Sequence, residues 1–144
     1  TQGVEAWLSS PLNSTPPELC LDSGCTHPMS GEKWAFSKLQ ACHPSTVGGI
    51  STSSLKVLGV GTLTLRLSNG RLVSLNNVLF VPGISTTLIS ASKLYDLHGI
   101  TSEFGERATL KRGNEVVATG SRVGGSLYSL DATLVRPPPS AIEL

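Results

Sequence analysis

Leu19-Cys20-Leu21-Asp22-Ser23-Gly24-Cys25-Thr26 sets an acid at the end of a short apolar run and follows it at once with a hydroxyl residue and a glycine. The apolar run reads as a buried strand. Gly24 opens backbone conformations that other residues avoid, which predicts a sharp turn just past the acid. The product is a carboxylate at a strand end, held by a tight loop. Carboxylates are seldom buried unless they are paired or used. The same tripeptide is also ordinary turn chemistry for an exposed loop, so the rest of the chain decides between a turn and a site.

Downstream, residues 26–44 read as irregular, broken by Pro28 and Gly31. Trp34, Phe36 and Leu39 are their apolar anchors, and the segment from Trp34 to Leu39 fits either a helical turn or a packed loop. From Ser45 to Val57, apolar and β-branched residues flank a middle rich in glycine and serine, which predicts a hairpin with a mobile tip. Leu63, Leu65 and Leu67 alternate with polar residues and predict a strand with one buried face. Asn69-Gly70 is a strong hairpin signal, and Leu72–Leu75 returns from it. Val78-Leu79-Phe80-Val81 is a continuous apolar run, as expected of a strand covered on both faces.

One helix is predicted, from Ala91 to His98. Ser90 can accept a hydrogen bond from a free backbone N–H at its start, and Gly99 stands where a left-handed terminating residue is wanted. Ala91, Leu94, Tyr95 and His98 fall on one face, with Tyr95, like Phe80, expected in the core. Strand-like stretches follow at 100–104, 108–111, 115–119 and 127–130, punctuated by Gly113-Asn114 and Gly124-Gly125. Phe104 and Tyr128 suit either the core or an interface. The reading is all-β with one short helix. Residues 1–17 and 132–144, rich in proline and serine, read as linkers on either side of a domain at 18–131.

The 144 residues suffice for one self-supporting core. Only 15 % of them are charged, and the net charge is +1. No basic surface therefore recommends nucleic acid as a partner. No stretch approaches the ~20 apolar residues of a membrane helix, and the N-terminus lacks the order of a signal peptide. Starting at Thr1, the sequence is expected to be an excised piece of a longer chain. Three cysteines without a CxxC pair argue against a disulfide framework and for a reducing compartment.

One carboxylate is poor equipment for hydrolysis, whereas two at hydrogen-bonding distance are good equipment. Two acids that close share one proton. The ionised member takes a proton from water while the protonated member donates to the carbonyl under attack. Asp96 lies on the predicted helix and Asp131 follows Tyr128-Ser129-Leu130, and neither is followed by Ser/Thr-Gly after a strand. A second copy of the chain, related by a two-fold axis, would supply Asp22 again. Two-fold dimers are the commonest soluble oligomers.

Leu21-Asp22-Ser23-Gly24-Cys25-Thr26 resembles the Asp-Thr/Ser-Gly loop of retropepsin-like aspartic proteases. With Met29-Ser30-Gly31 it is similar to the proteases of Ty1/copia-type LTR retrotransposons. The resemblance continues in order through Val47-Gly48-Gly49-Ile50, the Asn77–Ser85 segment, Leu88–Leu94, Gly120-Ser121-Arg122 and Gly125–Leu130. It spans residues 18–131. It implies a retropepsin-like fold, a closed β-barrel-like sheet with a flap hairpin and one short helix, one lobe per chain. It further implies a homodimeric aspartic endopeptidase that cuts its element's Gag-Pol polyprotein and uses no cofactor. Asp22 would be the catalytic acid, with Ser23, Gly24 and Thr26 supporting the loop and the dimer. Ser23 would tie hydroxyls and amides across the axis, and Gly24 would let substrate backbone approach. Val47, Gly48, Gly49, Ile50 and Ser51 would form the flap over a peptide substrate. The implied location is the cytoplasm, inside a virus-like particle, with no membrane or nucleic-acid partner for this domain. The sequence departs from the family at Cys25, where alanine is usual, and at His27-Pro28, where Pro28 takes the place of a histidine.

Two other readings compete. Cys20, Cys25, His27, Cys42 and His43 are zinc-ligand types in one window, although their spacing is poor. Alternatively, the chain is a silent dimerisation or peptide-binding remnant of such an element.

Overall fold

The computed structural model describes residues 19–46 and 55–137. Its strands are β1 (Leu19–Asp22), β2 (Met29–Ser30), β3 (Phe36–Thr46), β4 (Lys56–Leu67), β5 (Leu72–Phe80), β6 (Thr87–Ser90), β7 (Ile100–Phe104), β8 (Arg107–Arg112), β9 (Glu115–Gly124), β10 (Leu127–Leu130) and β11 (Ala132–Leu134). One helix, α1 (Ala91–His98), stands between β6 and β7. The fold is all-β with a short helix, as expected from the sequence, and is consistent with a retropepsin-like architecture. The pairing runs β11-β4-β5-β2-β6-β1-β10-β9-β8-β7, with β3 on β4. That path is open and mixed, where a closed barrel-like sheet was expected.

β1 lies at the centre of this order. It pairs in parallel with β6 and antiparallel with β10. All four of its residues are buried, and alternation divides them between two faces. Leu19 and Leu21 enter the main core with Phe36, Leu63, Leu65, Leu75, Ile89 and Leu110. Cys20 enters a smaller cluster with Met29, Val57, Val81, Ile84, Leu88 and Leu127. Asp22, two residues beyond Cys20, shares the face of that smaller cluster. Val57 belongs to the stem of the β3–β4 hairpin, so this face carries both the acid and the base of the hairpin.

The alternating leucines of β4 are buried as read: Leu63, Leu65 and Leu67 all face the core. β5 alternates until Asn76-Asn77, which together oppose one residue of β4, because Gly61 pairs Val78 and Leu63 pairs Leu75. Asn77 takes the extra turn with φ +57, a conformation asparagine tolerates better than most residues. This bulge resets the phase, and Leu75 and Val78 are both buried although three positions apart. Across the sheet, Gly61 lies against β3 so closely that a Cβ there would clash with the Lys38 carbonyl oxygen.

The segment that fitted either a helical turn or a loop resolves into both a turn and a strand. A 3-10 turn at Lys33–Ala35 leads directly into β3. Trp34 packs against the main core, its indole N–H donates to Glu32, and the Arg136 guanidinium lies 4.6 Å over its ring. Residues 132–134, assigned to the linker by composition, form β11 instead. Leu134 is buried, and the Val135 N–H donates to the Thr64 carbonyl at 2.9 Å.

α1 begins and ends on the predicted signals. The Ser90 hydroxyl accepts from the Lys93 N–H at 3.3 Å, and Gly99 adopts φ 68, ψ 22 while its N–H donates to the Tyr95 carbonyl. Only Leu94 of its predicted apolar face is buried. Tyr95 is 59 % exposed, which corrects its assignment to the core. Two turns of helix cover too little sheet to bury a whole stripe. His98 donates through Nε2 to the Ser74 carbonyl at 2.7 Å, fixing the helix end on β5. Tyr128 is buried and Phe104 is half exposed, their rings 5.1 Å apart.

Candidate active site

Asp22 is the last residue of β1, level with Ser90 on one side and Leu127 on the other. Its backbone is thus fixed from both neighbouring strands before the loop begins. The loop then closes on itself. The Cys25 N–H donates to the Asp22 carbonyl at 3.3 Å, and the Gly24 N–H donates to Asp22 Oδ1 at 2.9 Å. This is the side-chain-to-backbone turn that aspartate favours. A second donor comes from far along the chain: Ser126 Oγ donates to the same Oδ1 at 2.9 Å. The Ser23 N–H in turn donates to the Ser126 carbonyl at 3.2 Å.

The far side of the loop is held by the cap of α1. Ser90 Oγ donates to the Cys25 carbonyl at 2.7 Å. Because a hydroxyl carries one proton, Ser90 Oγ must then accept from both Lys93 N–H and Ser92 Oγ, the latter at 2.9 Å. One buried serine therefore ends β6, starts α1 and anchors the Asp22 loop. The sequence marked Ser90 as a cap and gave no sign of the contact with the loop.

Asp22 is 4 % exposed. Among the described residues no cation pairs with it, and its side-chain partners are Gly24 and Ser126. Asp96 and Asp131 are both exposed and neither is such a partner. The structure thus places Asp22, Ser23, Gly24 and Thr26 in one loop, with Ser23, Gly24 and Thr26 exposed around the buried acid. Thr26 Oγ1 lies 3.0 Å from His27 Nδ1 on the outside of the loop. Pro28 is buried, and its carbonyl accepts from the Leu79 N–H. Val47, Gly48, Gly49, Ile50 and Ser51 lie outside the described residues. The hairpin that would carry them is present as far as the Ser45–Val57 and Thr46–Lys56 pairs.

Gly24 corrects one expectation. It is not among the glycines with positive φ, and a Cβ there would meet Asp22 Oδ1 at an ordinary 3.7 Å. The turn past the acid is therefore made by the hydrogen bonds of Asp22, in backbone geometry that other residues can adopt. This chain's own fold does not require glycine at that position.

The Cys25 thiol is pushed up to about 11, chiefly by burial and also by the negative charge of Asp22, against the opposing effect of its hydrogen bond with the His27 backbone. At neutral pH it is a protonated thiol and a weak nucleophile. Cys42 is exposed and Cys20 is buried. With an alkylating reagent at pH 7.5, Cys42 is expected to react first, with Cys25 and Cys20 slower by at least about tenfold, as mass spectrometry of the digested protein would show. Among the described residues no group of three or more His, Cys, Asp or Glu is placed to hold a metal. Cys25 Sγ instead donates to the His27 carbonyl at 2.9 Å. A groove of about 510 Å³ lies along β3, β4 and β5, lined by Lys38, Gln40, Thr62 and Asn77 among others, and includes no residue of the Asp22 loop.

The stretch of sequence that carries this strand, the base of the hairpin and the capped helix matches a known family model. That model, described as the Pol polyprotein beta-barrel domain, covers residues 19–100, more than half of the chain. The chain belongs to that family. The retrovirus-related Pol polyprotein from transposon RE1 of Arabidopsis thaliana is 32 % identical to it over 101 residues. The match takes in 67 % of this chain and 6 % of that polyprotein, so the chain spans a small part of its relative. No solved structure matches the chain.

Proposed function

We propose that this chain is the aspartic endopeptidase of a Ty1/copia-type retrotransposon Gag-Pol polyprotein, active as a homodimer with one Asp22 from each subunit. The observation that carries the reading is Asp22 itself: a buried carboxylate with two neutral donors, no cation and no second acid among the described residues. Burying such a group without a charge partner is costly, and a fold keeps that cost chiefly where the group is used. Placed against its two-fold image, it gains the partner it lacks. The pair holds one proton, and a water between the two acids is deprotonated by one while the other protonates the carbonyl oxygen of the scissile bond. The exposed Ser23 is then free to bond across the axis. The β3–β4 hairpin, whose base shares the face of Asp22, would cover bound peptide and exclude water.

Gly24 supports the reading from another direction. Since its backbone is ordinary and a Cβ fits, Gly24→Ala is expected to leave folding unchanged or to stabilise it by about 0.4–1 kcal/mol. In the proposed dimer, however, Gly24 lies where substrate backbone passes, and the added methyl is expected to lower kcat/KM by about tenfold or more. Urea melts and peptide cleavage measured on the same preparations check both halves.

The direct test is cleavage of peptides spanning the junctions of the parent polyprotein. The expected result is pepstatin-sensitive cutting whose rate per subunit rises with protein concentration as dimers form. Cutting that ignores pepstatin, or none at concentrations where sedimentation shows dimers, would remove the reading.

A further inference from the structure

We propose that Ser126 is a positioning residue that fixes the orientation of the Asp22 carboxylate, so that the site is assembled from the two ends of the domain. The inference rests on the reading of Asp22 as the catalytic acid and extends it to a residue outside the stretch covered by the family match. Ser126 lies 104 positions from Asp22, yet contacts its loop twice, through Oγ to Oδ1 and through its carbonyl to the Ser23 N–H.

Several devices converge on placing that hydroxyl. In the β9–β10 pair, Leu127 opposes Gly124 while Tyr128 opposes Arg122, leaving Val123 as an extra residue. Such bulges re-aim the chain beside them. Gly125 then takes φ +54, a conformation that favours glycine. Arg122 Nε donates to the Gly125 carbonyl at 3.1 Å and closes the turn. The turn is thereby held on both sides of Ser126, by Arg122 before it and by the β1–β10 ladder after it.

The consequence for the carboxylate is geometric. A carboxylate oxygen has two lone-pair sites, and on Oδ1 both are taken, by the Gly24 N–H and the Ser126 hydroxyl at 2.9 Å each. The carboxylate plane cannot turn without losing one of them. Oδ2 is left as the oxygen that faces the partner acid or the attacking water. Ser126 acts through Asp22 and does not touch the reacting atoms.

The test uses the full chain with Ser126→Ala and Ser126→Thr. Junction-peptide cleavage by Ser126→Ala is expected to lose about tenfold in kcat with KM nearly unchanged, because the group misplaced is the acid and the binding surface is intact. Ser126→Thr, which keeps the hydroxyl, restores most of the rate. In parallel, the Cγ carbon resonance of Asp22, read by NMR at fixed pH, moves in the alanine variant and returns in the threonine variant. Unchanged kcat in Ser126→Ala, or an Asp22 resonance identical in all three proteins, overturns the proposal. Should the wild-type chain itself fail to cut, the proteolytic reading fails on its own, and the resonance alone decides whether Ser126 orients the carboxylate.

Discussion

Asp22→Asn is expected to reduce peptide cleavage by about a thousandfold or more, with the fold intact. The substitution is nearly isosteric, and the amide oxygen can still accept from Gly24 and Ser126 at the position of Oδ1. What is lost is the ability to take a proton from water or hold one for the carbonyl, and general acid–base groups contribute roughly 10²–10⁴-fold each. In a homodimer both copies are lost at once. The amide keeps the shape and the accepting oxygen, so the stability read from the urea curve is expected to stay within about 1.5 kcal/mol of the wild type. Circular dichroism and the urea curve establish the fold, and the cleavage rate measures the chemistry.

The largest expected effect on stability is at Phe36. It is fully buried in the main core, packs edge-to-face on Phe80 with ring centroids 5.7 Å apart, and lies against Gly61 at the β3–β4 crossing. Phe36→Ala removes that ring from a place where the backbone cannot close in, because β3 and β4 are already at contact distance there. Truncations of this kind cost about 3–5 kcal/mol, against a total stability of about 5–15 kcal/mol for domains of ordinary size. The denaturation midpoint is therefore expected to fall by a large fraction, with cleavage lost in proportion to the unfolded population. Phe36→Leu, which keeps most of the volume, should recover more than half of the loss.

The residues legible in the sequence are those whose signals are local. The apolar run before Asp22, the alternating leucines of β4, Asn69-Gly70 and the Ser90–Gly99 bracket of α1 each state their structure within a few positions. β3 was hidden because Ser37, Lys38, Gln40 and Pro44 suit a loop. It is a strand because it pairs β4, and among the described residues it has no strand on its other side, a place where polar residues and proline are tolerated. β11 is three residues long and exists through its pairing with β4, which composition cannot register. Tyr95 followed the helical period of a face that the short helix does not bury. Leu72–Leu75 and Val78–Phe80 belong to one strand, because Asn76-Asn77 between them form the bulge that keeps Leu75 and Val78 in phase.

The site divides in the same way. Asp22, Ser23 and Gly24 announced themselves, and the loop they form is the expected one, although its turn is made by hydrogen bonds to Asp22 and not by glycine geometry. Ser90 was visible as a helix cap but not as the anchor of that loop. Ser126 stood within the resembling Gly125–Leu130 segment, which gave no sign of a contact with Asp22. Its contact with Asp22 arises from the β1–β10 pairing, a bulge and a turn, all of which depend on residues distant in sequence.

The central claim is that Asp22 is half of a site completed by another copy of the same chain. It is tested most directly by mixing wild-type chain with Asp22→Asn at concentrations where both are dimeric. With nine parts of the variant to one of wild type, random pairing leaves about one wild-type subunit in ten with a wild-type partner. The account predicts that cleavage per wild-type subunit falls to about a tenth. Cleavage per wild-type subunit that is unchanged by the excess of Asp22→Asn would contradict it.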